Sequence, residues 1–252
     1  MSRFFVDVGT IARRELLRYR RERMFLVGQI LLPVLAVLLI GFGLNRPVGE
    51  LGGGIDYASF LASGLLVLTI SSGAIGGGYT LIQDVQQGFL RPILVAPVSR
   101  ASIVIGKVAA RLLLSAVLVA ALIAVLALFT SLRLPRPDLA LVAIGGVTLG
   151  FVAAGILLAT YLRNAESFRL IAVFATLPIY FLSGMFFPVE TMPSGMRALA
   201  LANPLTYGVD LLRFATTGAR AFPLWLDLAV VAALAVLPTA LAVRAFERRL
   251  AG

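Results

Sequence analysis

The side chains that most often do chemistry are scarce in this 252-residue chain. It has no histidine and no cysteine, which removes imidazole bases, thiolate nucleophiles and most zinc or haem ligand sets. The sole lysine, Lys107, is followed by Val108, so the Lys-Ser/Thr end of a P-loop is missing and the chain holds no nucleotide site of its own. No two of its 12 acidic residues are spaced to act together on one helix. The chain is therefore expected not to be an enzyme and to bind no cofactor or metal. What remains is a set of charged and turn-forming residues in three places: an arginine-rich arm at 1–23, a segment at 84–103, and a Gly/Pro-rich stretch at 182–213.

The elements that must hold these segments are greasy. Hydrophobic residues make up 60% of the chain, charged residues only 13%, and the mean hydropathy is +0.99, whereas a soluble domain is nearer half apolar and a quarter charged. Apolar runs of about 20 residues, the length that crosses a bilayer, predict six transmembrane helices at 24–44, 58–82, 108–132, 139–162, 169–188 and 222–243. Asp227 interrupts only the last, near one end and beside Trp225, a residue suited to the interfacial belt. The fold class expected is an all-α membrane protein, read as one domain over 1–252. Mid-span positions carry no ionisable residue, which argues against a proton-coupled carrier. Gly146 and Gly150 form a small-xxx-small spacing, and Gly73, Gly76, Gly77 and Gly78 cluster in the second run; both suit close helix packing in lipid. Pro33 and Pro178 are expected to kink their helices.

Charge sets the orientation. Sixteen of the 22 basic residues fall on the face that holds the arm, the 84–111 and 163–169 connections and the C-terminal tail, while the acidic residues divide evenly. By the positive-inside rule both termini are cytoplasmic. The net charge of +10 is thus a topology signal and not a nucleic-acid footprint. The arm is too charged for the n-region of a cleaved signal peptide. Phe5, Val8, Ala12, Leu16 and Tyr19 share one helical stripe, with Arg13, Arg14, Arg18, Arg20 and Arg21 around the rest, so an amphipathic helix lying on membrane lipid is expected; the same charges would also serve docking.

Residues 83–107 read QDVQQGFLRPILVAPVSRASIVIGK. Gly88, Phe89, Leu90, Arg91, Leu94, Val95, Ala96, Pro97, Val98, Ser99 and Arg100 resemble the cytoplasmic connection of ABC-2 type permeases of bacterial ABC exporters. Gln86 and Pro92 depart from the pattern, where acidic residues are common. The stretch 182–213 resembles the signature of the same family, through Gly184, Phe187, Pro188, Met192, Pro193, Asn203, Pro204, Leu205, Thr206, Tyr207, Asp210 and Arg213. Locally, Ser194 is expected to cap a helix over 195–202, Asn203-Pro204 to open another, and Asp210 to pair with Arg213 three residues on. Such helices are too short to span and are expected to re-enter the outer leaflet across 193–214.

The resemblance implies a permease subunit whose 84–103 segment is a coupling helix seated on a separate ATPase, with Asp84, Gln86, Gly88, Phe89, Leu90, Arg91, Pro97 and Arg100 as coupling residues. It implies an assembly of two permeases and two ATPases, with ATP and Mg on the ATPase. A homodimer is the simpler form; a heterodimer with a similar permease stays open. The resemblance further implies residence in the bacterial inner membrane, an outer cap formed by the signature, and export of a lipophilic drug or lipid, of the kind associated with antibiotic resistance. Export of a polysaccharide–lipid conjugate and ion-coupled transport without an ATPase are the alternatives.

Overall fold

The computed structural model describes residues 2–21, 23–44, 50–51, 54–86, 100–162 and 164–250. Nine α-helices account for most of them: α1 Ser2–Arg21, α2 Arg23–Ala36, α3 Tyr57–Gln86, α4 Arg100–Leu126, α5 Pro137–Tyr161, α6 Ala165–Phe181, α7 Ser194–Ala202, α8 Pro204–Thr217 and α9 Leu224–Leu250. A π-helical turn, Val37–Gly41, extends α2 one turn beyond Pro33, and a 3-10 turn covers Val189–Thr191. The all-helical expectation needs one amendment among the described residues. Glu50–Leu51 and Ile55–Asp56, here β1 and β2, pair antiparallel ahead of α3.

Among the described residues, five helical stretches are long and apolar enough to cross a membrane: Leu26–Leu44, Tyr57–Gln83, Ile105–Leu126, Pro137–Tyr161 and Leu224–Ala245. The sixth expected crossing, 169–188, falls differently. Helix α6 begins at Ala165 and stops at Phe181, and 17 residues rise only about 25 Å, short of the roughly 30 Å of hydrocarbon. Pro178 lies in its last turn, and Gly184, in the left-handed region at φ +71°, turns the chain away. The third crossing also shifts. It starts earlier than 108, taking Lys107 into the apolar stretch, and its helix ends at Leu126.

Helix α3 is the axis of the bundle. It is apolar on all sides, and Ala58, Leu61, Leu66, Val67 and Ala74 have no exposed surface, as expected of a helix surrounded by others. Three of its hydroxyls donate to its own backbone, Ser63 to Phe60 O at 2.7 Å, Thr69 to Leu65 O at 2.9 Å and Ser71 to Val67 O at 2.7 Å, which lets this part of the helix be buried among apolar neighbours. Helices α2 and α9 lie at the periphery and keep large apolar surfaces exposed, as at Leu32 and Leu237. Helix α6 buries a single stripe, Phe168, Ala172, Thr176 and Tyr180, and presents Phe174 and Leu177 outward.

Glycine sets the closest contacts. A Cβ at Gly78 of α3 would lie 2.1 Å from Gly155 O of α5, so the two backbones touch where lipid offers no hydrophobic drive to bring helices together. The Gly146/Gly150 spacing faces α9, where added carbons would meet Val231 and Leu234. Gly78→Val must push main chain apart and is expected to cost at least the roughly 1–3 kcal/mol of an overpacked core. Gly145→Ala meets nothing within 4 Å and should be neutral or mildly stabilising. Comparing the yield and melting temperature of the two purified variants checks this contrast, which equal behaviour would remove.

Candidate functional site

The chain alternates between two ends of the bundle, and functional side chains collect at both. At the first end α1 lies against the start of α4. The apposition is tight enough that a Cβ at Gly106 would meet Ile11 at 2.8 Å. Lys107 Nζ donates to Glu15 Oε1 at 2.7 Å, with only 8% and 4% of the two side chains exposed. One turn further, the Arg111 guanidinium sits 4.8 Å over the Tyr19 ring and fills the notch left by Gly73 and Gly76 of α3. Arg18 donates to Gln83 near the end of α3. The face of α1 that packs is therefore Ile11, Glu15 and Tyr19, while Phe5, on the stripe expected to face lipid, is exposed. Arg13 and Arg14 point outward, and the side chains of Arg20 and Arg21 lie outside the described residues.

The expected coupling residues begin where α3 ends and finish where α4 starts. Gln86 is exposed at the end of α3. Gly88, Phe89, Leu90, Arg91 and Pro97 lie outside the described residues, as do the side chains of Asp84 and Arg100. The structure thus places the two flanks of this segment against α1.

The second end is closed by the 182–222 region. Asn203 caps α8: its Oδ1 accepts from Leu205 N at 3.0 Å while its Nδ2 donates to Ile179 O of α6 at 2.7 Å. Pro204 follows at the first helical position, where its missing N–H costs nothing. Ser194 does not cap α7; it is the first residue of that helix, and Pro193 stands before it with no side-chain bond to give. Thr206 donates to Ala200 O at 2.7 Å and Tyr207 to Leu201 O at 2.8 Å, which folds α8 back on α7. Gly218, at φ +80°, ends α8 in the left-handed cap that glycine adopts without strain.

Arg213 is the hub. Its guanidinium lies 3.7 Å over the Phe60 ring, its Nε donates to Ser63 Oγ at 3.1 Å, and an NH2 donates to Gly184 O at 2.9 Å. Burial lowers its pKa to about 10, so it stays a cation at neutral pH. Asp210 does not ion-pair with it as expected. Its carboxylate instead accepts from Ala221 N at 2.8 Å and Phe222 N at 2.9 Å, fixing the loop that leads into α9. Pro188 O accepts from Thr191 Oγ1 at 2.8 Å, Met192 ends that 3-10 turn, and Phe187 is exposed. A small cavity of about 90 Å³ lies inside this corner, lined in part by Phe60, Gly184, Glu190, Asp210, Arg213 and Arg220. Beside it an apolar groove of about 700 Å³ opens between α5, α6, α8 and α9, past Phe151, Thr176, Leu205 and Pro238.

Sequence reasoning missed Glu15, Lys107, Phe60 and Ser63. A lone lysine at the edge of an apolar run was the available signal for a buried acid partner. Nothing local marks Phe60 or Ser63, whose role depends on a residue 150 positions away.

A bundle with several membrane-crossing helices, one basic end and one end closed by short helices defines a multi-pass membrane protein. The chain belongs to the ABC-2 type transporter family, whose family model matches residues 6–216. It is 29% identical over 219 residues to the ycf38 protein of Cyanophora paradoxa, named as a transport permease, covering 84% of this chain and 75% of that one. Nodulation protein J of Rhizobium leguminosarum bv. viciae is 25% identical over 251 residues, with 94% and 93% covered. The inner membrane transport permease YadH of Escherichia coli K12 is 24% identical over 229 residues, with 89% and 88% covered.

Proposed function

We propose that this chain is the membrane-spanning subunit of an ATP-driven exporter, crossing the membrane six times with both termini in the cytoplasm. Family membership and the transport-permease relatives support the class. Helix α6 with the turn after it makes the sixth crossing. The observation that carries the coupling role is the Glu15–Lys107 contact: it ties α1 to the helix that leaves the 84–100 segment, so a push there moves arm and helix together. A separate ATPase, present twice and carrying ATP and Mg, supplies the push, and two permeases of this kind face one another.

At the opposite end α7 and α8 re-enter the outer leaflet and cap the path. Helix α8 is buried on most sides by its neighbours, as non-spanning backbone at membrane depth must be. The apolar groove alongside favours a lipophilic drug or lipid as cargo. The protein does no chemistry and converts a mechanical input into alternating access.

The test is copurification with the ATPase encoded beside its gene, followed by a screen for compounds that stimulate ATP hydrolysis. Exchanging Gly88–Arg100 for an unrelated amphipathic sequence is expected to abolish ATPase binding while the permease still folds. Unchanged binding and export after that exchange would remove the coupling assignment, and transport without any ATPase would make the chain an independent carrier.

A further inference from the structure

A second apolar groove, of about 650 Å³, runs along α9. Ala235, Thr239, Ala240 and Val243 line it on one face of that helix, Leu149 of α5 lines it from the other side, and Arg244 closes one end. It shares no residue with the groove beside α6. The lining asks nothing polar of an occupant, because Thr239 Oγ1 already donates to Ala235 O of its own helix at 2.6 Å. Helix α5 does not fill the recess either: Gly145, one turn before Leu149, has open space where a Cβ would stand.

Length and charge together select the occupant. Ala235 and Arg244 are separated along α9 by a rise of about 14 Å, close to half of the roughly 30 Å of hydrocarbon in a bilayer. Arg244 is the penultimate residue of the membrane-crossing stretch Leu224–Ala245, so the groove reaches from the membrane surface to about the midplane. That is the course of a lipid tail within one leaflet. Arg244 is exposed and makes no ion pair among the described residues. A guanidinium at that level meets lipid phosphate, which its planar fork can bind through two hydrogen bonds. Beyond it α9 continues through Glu247, Arg248 and Arg249 to Leu250, so the balance of charge past the groove stays basic, which favours an anionic headgroup.

We propose that this groove binds one anionic phospholipid, with a tail laid along α9 between Ala235 and Val243 and the phosphate held by Arg244. The lipid is a resident ligand of the permease and not its cargo: it sits on the outside of α9, against α5, and covers apolar surface that no other helix reaches. The site rests on α9 crossing the membrane and on nothing else in the transport reading. The permease alone therefore tests it, and its failure would leave that reading standing.

Native mass spectrometry of the purified full-length protein, titrated with phosphatidylglycerol or with phosphatidylcholine of the same chain length, measures the binding. The wild type should retain phosphatidylglycerol in preference. Arg244→Gln should cut that preference about fivefold, the factor of one arginine at an anionic surface, and Arg244→Lys should recover most of it. Arg197→Gln, which removes an exposed arginine of α7, should change nothing. Ala240→Phe keeps the charge but fills the groove, and should weaken phosphatidylglycerol binding as well. Equal retention of the two lipids by the wild type overturns the proposal whether or not the variants fold, and so does an unchanged preference in Arg244→Gln. Loss in Arg244→Gln with none in Ala240→Phe would reduce the effect to surface charge and remove the groove. If Ala240→Phe instead separates two copies of the chain while the lipid stays bound, the groove seats a second copy and the lipid assignment falls.

Discussion

Arg213→Ala should sharply lower the melting temperature and the yield of folded protein. The substitution strips two charge-assisted hydrogen bonds, each of roughly 1.5–3 kcal/mol, and a desolvated cation–π contact of about 2 kcal/mol, from a residue with 6% exposure. These terms overlap, so a net loss of about 3–5 kcal/mol is expected, a large part of the 5–15 kcal/mol that typically holds a protein together. The loss is spread widely, because Arg213 joins α8 to α3 through Phe60 and Ser63 and to the turn after α6 through Gly184 O. Arg213→Lys keeps the charge but not the planar fork, and one ammonium cannot lie flat on Phe60 while reaching both oxygens. It should recover part of the stability only. Melting temperature by fluorescence-detected size exclusion ranks the three proteins, and a wild-type melt for Arg213→Ala would show that the hub carries no load.

Arg213 also illustrates what a sequence can and cannot yield. Its place in the family signature was legible, as were Asn203-Pro204 as a helix start and the small-residue seam of Gly146 and Gly150, because each depends on neighbours within a few positions. The partner was not legible. Asp210 lies at a helical spacing that suits an ion pair, yet tertiary packing gave Arg213 the Phe60 face and gave Asp210 the backbone of Ala221 and Phe222. The end of α6 at Phe181 was not legible for a related reason. Apolar composition continues to 189, but a helix cannot continue through Gly184 at φ +71°; hydropathy measures what lipid tolerates, not where the backbone turns.

The arm makes the same point from the other direction, since its best-anchored residue is an acid that the apolar stripe conceals. Lys107→Met is expected to take from the Glu15 carboxylate, 4% exposed, its closest cation and leave it Arg14 at 3.9 Å, at somewhat less than the about 3–5 kcal/mol of a fully broken buried pair, and Glu15→Met to take from the Lys107 ammonium the carboxylate it grips, at a similar cost. The combined Glu15→Met/Lys107→Met protein should be close to wild type or more stable, because it removes both desolvation penalties along with the attraction. A double-mutant cycle on melting temperature isolates the coupling between the two. Burial also makes the pair insensitive to salt, so the cycle should give the same coupling at low and high ionic strength. Hydrogen exchange across α1 locates the effect: the single variants should release the arm from α4, and the double variant should hold it. Transport then separates a clamp from a charge requirement. If α1 and α4 must move as one body, export driven by the ATPase should fail in the single variants and return in the double, in which no charge remains at either position. Export that fails equally in all three would mean that the charges themselves, and not the grip between the helices, do the work.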